Sequence, residues 1–117
     1  MIQVKRIYLP PQEGDGYRIL VDRLWPRGLS KEEARIDLWL KEIGPSNELR
    51  KWFGHNDKKW IEFKKKYRKE LEEETKQVLL HKIARFEKEK GTVTLLFSAK
   101  NTDHNNAVAL SELLNEA

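Results

Sequence analysis

A chain of 117 residues without a single cysteine is long enough to bury one core unaided. It cannot form a disulfide, a zinc–thiolate site or a thiol nucleophile, which fits a reducing compartment. The net charge of +4 and pI near 9.3 raise nucleic acid as a partner. The excess lies in residues 57–90, twelve Lys/Arg against eight Asp/Glu, interleaved as in Glu72-Glu73-Glu74-Thr75-Lys76; that reads first as a solvated helix face. No apolar run reaches the roughly 20 residues that cross a bilayer, and Met1-Ile2-Gln3-Val4-Lys5-Arg6 lacks a signal-peptide core. One cytoplasmic domain over residues 1–117, with no membrane partner, is expected.

Ile2 to Tyr8 alternates loosely and reads as a first strand, stopped by Pro10-Pro11 and a turn at Glu13-Gly14-Asp15-Gly16. Tyr17 to Arg23 reads as a second strand, whose uninterrupted Ile19-Leu20-Val21 suits burial on both faces of a parallel sheet. Ser30-Lys31-Glu32-Glu33 has the form of a capping box and starts a short helix. Ile36 to Leu40 fits either period; the abrupt Gly44-Pro45 stop favours a strand. Ser46 caps a helix bearing Leu49, Trp52 and Phe53 and closed by Gly54, and Asp57 caps a longer one with Trp60, Phe63, Tyr67 and Leu71 on its core face. Val78, Leu79, Ile83 and Phe86 mark a further helix ending at Gly91, with His81 turned to solvent. Thr92 to Phe97 is the clearest strand, and Ala107, Leu110, Leu113 and Leu114 mark a closing helix. Strands at both ends with helices between predict a small α/β domain, a mainly parallel sheet flanked by helices.

Two strand ends carry similar polar sets. Asp22, Arg23, Trp25 and Arg27 follow the second strand; Ser98, Lys100, Asn101, Thr102, Asp103, His104, Asn105 and Asn106 follow the last. Parallel neighbours would bring these sets to one cleft at the carboxyl ends of the strands, where α/β folds bind ligands. Arg23, Arg27 and Lys100 then supply donors for a phosphate or carboxylate. His104 is the candidate general acid/base, with Asp22 to orient it, and His55 is a second loop candidate. Each also has an ordinary structural role to set beside the chemical one, since Asn101, Thr102 or Asp103 can cap a helix and Asp22 and Arg23 can pair with neighbours. The three histidines lack metal-ligand spacing, and no phosphate loop, dinucleotide fingerprint or nucleophile elbow is present. No metal or cofactor is expected.

The segments Val21-Asp22-Arg23-Leu24-Trp25-Pro26-Arg27-Gly28, Trp39-Leu40-Lys41-Glu42, Leu49-Arg50-Lys51-Trp52-Phe53-Gly54-His55 and His104-Asn105-Asn106-Ala107 resemble the successive motifs of the YeaO-like family, domain of unknown function 488, along essentially the whole chain. The resemblance implies a compact bacterial or archaeal α/β protein and no particular activity. It carries over Asp22, Arg23, Trp25, Pro26, Arg27, Gly28, Lys100, His104, Asn105 and Asn106, with Trp52 to His55 as a third wall. One departure is Asn101, where the family pattern tends to have Asp. A catalytic carboxylate at that position would leave this chain impaired or dependent on Asp103.

The leading expectation is a domain that binds, and could act on, a small anionic molecule such as a nucleotide or sugar phosphate. Arg23, Arg27, Lys100, Asn101, Asn105, Asn106 and His55 would hold it, Trp25 would stack on a flat group, and His104 with Asp22 would move any proton. A nucleic-acid accessory protein using the Lys-rich helix 57–71 ranks below it, because Glu62, Glu70 and Glu72 to Glu74 break the field. An adaptor with a Trp-rich surface is the third alternative.

Overall fold

Four parallel strands position everything else in the computed structural model, which describes residues 1–116. The strands β1 (Ile2–Arg6), β2 (Tyr17–Leu20), β3 (Leu38–Trp39) and β4 (Val93–Phe97) lie in the order β1-β4-β2-β3. The last strand is therefore central, and all five of its residues are buried, which accounts for its unbroken apolar run. On β1, an edge strand, Val4 stays exposed.

The pairing Ile19↔Leu95 and Leu20↔Leu96 assigns side chains to faces, because successive residues of a strand point to opposite sides. Ile19, Val21, Val93, Leu95 and Phe97 join one core with residues of the helices α2 (Asn47–Phe53), α3 (Trp60–Glu70), α4 (Glu74–Lys90) and α5 (Asn106–Glu116). Leu20 and Leu96 face a smaller cluster containing Ile7 and Ala34, the latter from the one-turn helix α1 (Lys31–Ala34). The result is an α/β architecture with its principal helices on one face.

Several local readings hold at residue level. Ser30 and Glu33 form the capping box of α1, and Ser46 accepts from Leu49 N–H to start α2, which ends at the left-handed Gly54. Residues 36–40 supply β3 rather than a helix. Trp60, Phe63, Tyr67 and Leu71 are all buried.

Other boundaries move. β2 ends at Leu20, so Asp22 and Arg23 belong to the following loop, although Val21 N–H still bonds Leu96 O. Asn56, not Asp57, caps the turn that opens the 57–70 segment, accepting from Lys58 N–H, and residues 57–59 form a 3-10 turn before α3. Val78 is 61% exposed while Leu80 and Ile83 are buried, and Leu79 and Phe86 pack against the same core: the inward stripe of α4 takes in Leu80 and leaves out Val78. Gly16 lets the chain enter β2: it sits at φ +63, and a Cβ there would lie 2.3 Å from Thr92 O, so any other residue would clash with backbone.

Candidate functional site

Because β2 and β4 are parallel neighbours, the segments leaving them diverge from adjacent points, and a cavity of about 1130 Å³ opens between them. Asp22, Arg23, Trp25 and Arg27 line it from the β2 side, and Lys100, Asn101, Asn105 and Asn106 from the β4 side. The third wall is α2 and the turn after it, with Arg50, Lys51, Phe53 and His55; the end of β1 adds Arg6 and Tyr8. His104 does not line the cavity.

Hydrogen bonds decide what each side chain has left to offer. Asp22 Oδ2 accepts from Ser98 N–H and Ser98 Oγ at 2.9 and 2.8 Å, while Oδ1 accepts from Asn106 Nδ2 at 3.1 Å. Its carboxylate staples the ends of β2, β4 and the start of α5 together. Arg23 donates from Nε to Pro45 O and from Nη2 to Gly44 O, and a Cβ on Gly44 would come within 2.9 Å of Arg23 N; the close approach leaves this guanidinium holding a loop. Trp25 gives its Nε1–H to Leu29 O at 2.6 Å and meets Trp39 edge-on at 5.3 Å. By contrast Arg27, Lys51 and Lys100 are exposed, and among the described residues none of the three makes a side-chain hydrogen bond or ion pair.

The expected Asp22–His104 couple does not form. The His104 ring stacks on Trp60 with centroids 4.7 Å apart, and its Nδ1 lies 2.9 Å from Asp57 Oδ1. Aromatic stacking and this acceptor draw the ring to the start of α3, away from Asp22. Asn101 Oδ1 accepts from Asp103 N–H and His104 N–H while Nδ2 donates to Asp57. Asn105, 3% exposed, accepts from Val108 N–H and so caps α5. Asn106 Nδ2 also donates to Val21 O. All three asparagines therefore border the cavity with amide groups engaged in the fold. Asp103 is exposed and lies off the cavity, so it does not stand in for a carboxylate at position 101. His55, at φ +57, borders the cavity from an exposed turn.

Arg6, Tyr8, Arg50, Lys51 and Phe63 are among the lining residues that sequence reasoning did not select, whereas Phe53 and His55 fall within the expected third wall. The α2 wall is held firmly. Glu70 accepts from Ser46 N–H and Ser46 Oγ at 2.9 and 2.6 Å, and Phe53 stacks on Phe63 at 4.3 Å. The buried Tyr67 hydroxyl donates to Ile43 O at 2.6 Å. Burial first, then the negative charges of Asp22 and Glu70, pushes that phenol far above its usual range, so it remains a donor. Among the described residues no group of three or more His, Cys, Asp or Glu side chains is placed to hold a metal ion, and no helix is long and apolar enough to cross a membrane.

A family model described as the inactive DUF488-N3 subclade matches residues 1–117. The uncharacterized protein YeaO of Escherichia coli strain K12 is 48% identical over 116 residues, covering 97% of this chain and 96% of the relative. The uncharacterized proteins Mb3100c of Mycobacterium bovis and Rv3073c of Mycobacterium tuberculosis H37Rv are each 33% identical over 114 residues, covering 97% of this chain and 93% of theirs. No solved structure matches. With a match along its full length and relatives aligned nearly end to end, this chain belongs to the YeaO-like DUF488 family.

Proposed function

We propose that this chain is a cytoplasmic binding domain for a small anionic molecule, of the kind of a nucleotide or sugar phosphate, held at the carboxyl ends of β2 and β4. The observation that carries the reading is the charge balance of the cavity. Arg6, Arg23, Arg27, Arg50, Lys51 and Lys100 line it against one carboxylate, Asp22, whose oxygens are taken up by Ser98 and Asn106. Arg27, Lys51 and Lys100 come from three different segments and keep their cationic groups free for a ligand, the arrangement that charge-assisted anion binding needs. Phe53, Phe63 and Trp25 give the same cavity apolar walls, suited to the organic part of such a molecule.

Binding without turnover fits better than catalysis. Asp22 and Asn101 spend their polar atoms on the protein, His104 stands outside the cavity, and the matching family model is described as an inactive subclade. Nucleic acid ranks below a small anion: Lys59 and Lys66 lie over Trp52, and Lys64 lies over Trp60 and pairs with Glu112, so several lysines of the basic segment are engaged by the fold.

A thermal-shift screen against nucleotides and phosphorylated sugars tests the reading. A ligand at 100 times its dissociation constant stabilises the fold by about 2.7 kcal/mol. Arg27→Ala is expected to weaken such a ligand by about 1.5–3 kcal/mol, the scale of a hydrogen bond to a charged group, while the fold is left within about 0.5 kcal/mol. Absence of any stabilising anion, or affinity indifferent to both Arg27→Ala and Lys100→Ala, rejects it.

A further inference from the structure

Three arginines in this chain illustrate one device, and the third is incomplete. The Nε and Nη2 groups of arginine form a two-pronged edge that matches two acceptor oxygens side by side. Arg18 closes that edge on two successive carbonyls, Nε to Arg35 O at 3.0 Å and Nη2 to Ala34 O at 2.8 Å. Arg23 does the same with Pro45 O and Gly44 O, at 3.0 and 2.8 Å. Arg50, in the α2 wall of the cavity, fills only one prong: Nη2 reaches Asn47 Oδ1, and Nε has no partner. That Nε is the one buried side-chain polar atom without a hydrogen bond among the described residues.

A buried cationic N–H without an acceptor is costly, and in a folded protein such an orphan calls for an explanation. Strain in the helix does not supply one, because α2 is tied down by Ser46, Glu70 and the Phe53–Phe63 stack. The side chain can move where the helix cannot. Its single acceptor is a neutral amide on an exposed residue one turn away, Asn47, and an anionic oxygen is a stronger acceptor than an amide carbonyl.

We infer that Arg50 is the inner anchor of the anion site, parked on Asn47 in the free protein and turned onto a phosphoryl group of the ligand through its Nε/Nη2 edge. The inference rests on the binding reading above and adds the residue, the geometry and the chemical class. A phosphoryl group offers two oxygens on one centre to the edge and leaves further charge for the rim cations Arg27, Lys51 and Lys100. Since Nε is closed to solvent, occupancy requires the guanidinium to leave Asn47. That amide therefore acts as a competitor of the ligand.

The test is a titration of the whole chain with inorganic pyrophosphate, following the arginine Nε–H signals by nuclear magnetic resonance. The Arg50 signal is assigned in the wild-type chain by through-bond correlation from its side-chain carbons to the backbone of residue 50. On saturation this signal is expected to shift, with those of Arg18 and Arg23 unmoved. Arg50→Lys, which keeps the charge and removes the edge, should weaken pyrophosphate about tenfold, and Asn47→Ala should tighten it severalfold. Thermal melting checks that each variant folds; if Arg50→Lys does not, the wild-type shift and the sign of the Asn47→Ala effect decide. An Arg50 Nε–H signal unmoved at saturation, or Asn47→Ala binding no tighter than wild type, overturns the anchor while leaving an Arg27- and Lys100-dependent anion site standing. A wild-type chain that does not bind pyrophosphate also overturns it, and the nucleotide and sugar-phosphate screen judges the broader reading separately.

Discussion

Two charged clusters on the same sheet are organised in opposite ways. On the face of Leu20 and Leu96, Asp15 and Arg18 are 4% and 5% exposed, and every charge has its partners. Arg18 Nη1 meets Asp15 Oδ2 at 2.5 Å, and Lys5 Nζ meets both Asp15 oxygens at 3.0 and 3.1 Å and Pro10 O at 2.8 Å. The Asp15 carbonyl accepts from Thr94 Oγ1 at 2.6 Å. At the carboxyl ends of the strands, cations outnumber the one carboxylate, three of them are uncommitted, and one buried donor is unmet. Both clusters are rich in arginine and lysine, so composition does not separate them. The difference is whether the acceptors are supplied by the chain, and the cluster short of acceptors is the one proposed above to take a ligand.

The largest effect is expected where the accounts are closed. Asp15→Ala leaves Lys5 and Arg18 without their carboxylate in a buried setting, and the loss should be about 3–5 kcal/mol, the cost of removing one member of a buried pair. A urea midpoint within about 0.5 kcal/mol of wild type would show that this cluster is not saturated as described. Its pH dependence has a definite sign. Burial alone would raise the Asp15 carboxyl, but hydrogen bonds from Gln12 N–H, Lys5 and Arg18 outweigh it and hold the group below the usual carboxylate value. Its contribution is therefore fully present above the unfolded value of about 3.9 and is lost as pH falls through the lower folded value. Denaturation curves of wild type and Asp15→Asn should converge below that range and separate above it.

Asp22 gives the next effect, and it sharpens the contrast because this carboxylate lies in the cavity yet is used by the fold. Removing it in Asp22→Ala strips acceptors from Ser98 N–H, Ser98 Oγ and Asn106 Nδ2 and should cost about 1–3 kcal/mol, the desolvation penalty of buried polar groups left unmet. Asp22→Asn retains an oxygen for Ser98 and should cost less. A stability-neutral Asp22→Ala would return Asp22 to the list of groups available to a ligand or a proton transfer.

The parts of this arrangement that could be read from the chain are those set by local rules. Ile19-Leu20-Val21 and the run Val93 to Phe97 announce buried strands, Ser30 and Ser46 announce helix starts, and polar residues at both strand ends mark one side of the sheet. The third wall was less legible. Spacing shows that α2 has an apolar face, but only packing on α3 decides that Arg50 and Lys51 border the cavity. The asparagines are the harder case, since the residue types that bind ligands also cap helices; Asn101 and Asn105 went to the backbone because the start of α5 needs acceptors. His104 was drawn off by Trp60 and Asp57, contacts 44 and 47 positions away in sequence.

The smallest effect tests the position where the family pattern departs. Asn101 Nδ2 donates to Asp57 Oδ1 at 2.9 Å, and the same oxygen lies 2.9 Å from His104 Nδ1. In Asn101→Asp the new carboxylate can still accept from Asp103 and His104 N–H, so the turn entering α5 keeps its cap. It cannot donate to Asp57, and it sets two negative groups at hydrogen-bond distance, a like-charge contact that disfavours ionisation of both. The Asp57 side chain is 63% exposed, so water and salt screen the repulsion and the cost should stay below about 1 kcal/mol. The penalty belongs to the doubly ionised pair, so it is present at neutral pH, shrinks with added salt and disappears as the pH falls through the carboxylate range. A variant as stable as wild type at neutral pH and low salt would mean that the Asn101–Asp57 contact contributes nothing to the fold. A loss of several kcal/mol, insensitive to salt, would place Asn101 among the closed accounts with Asp15.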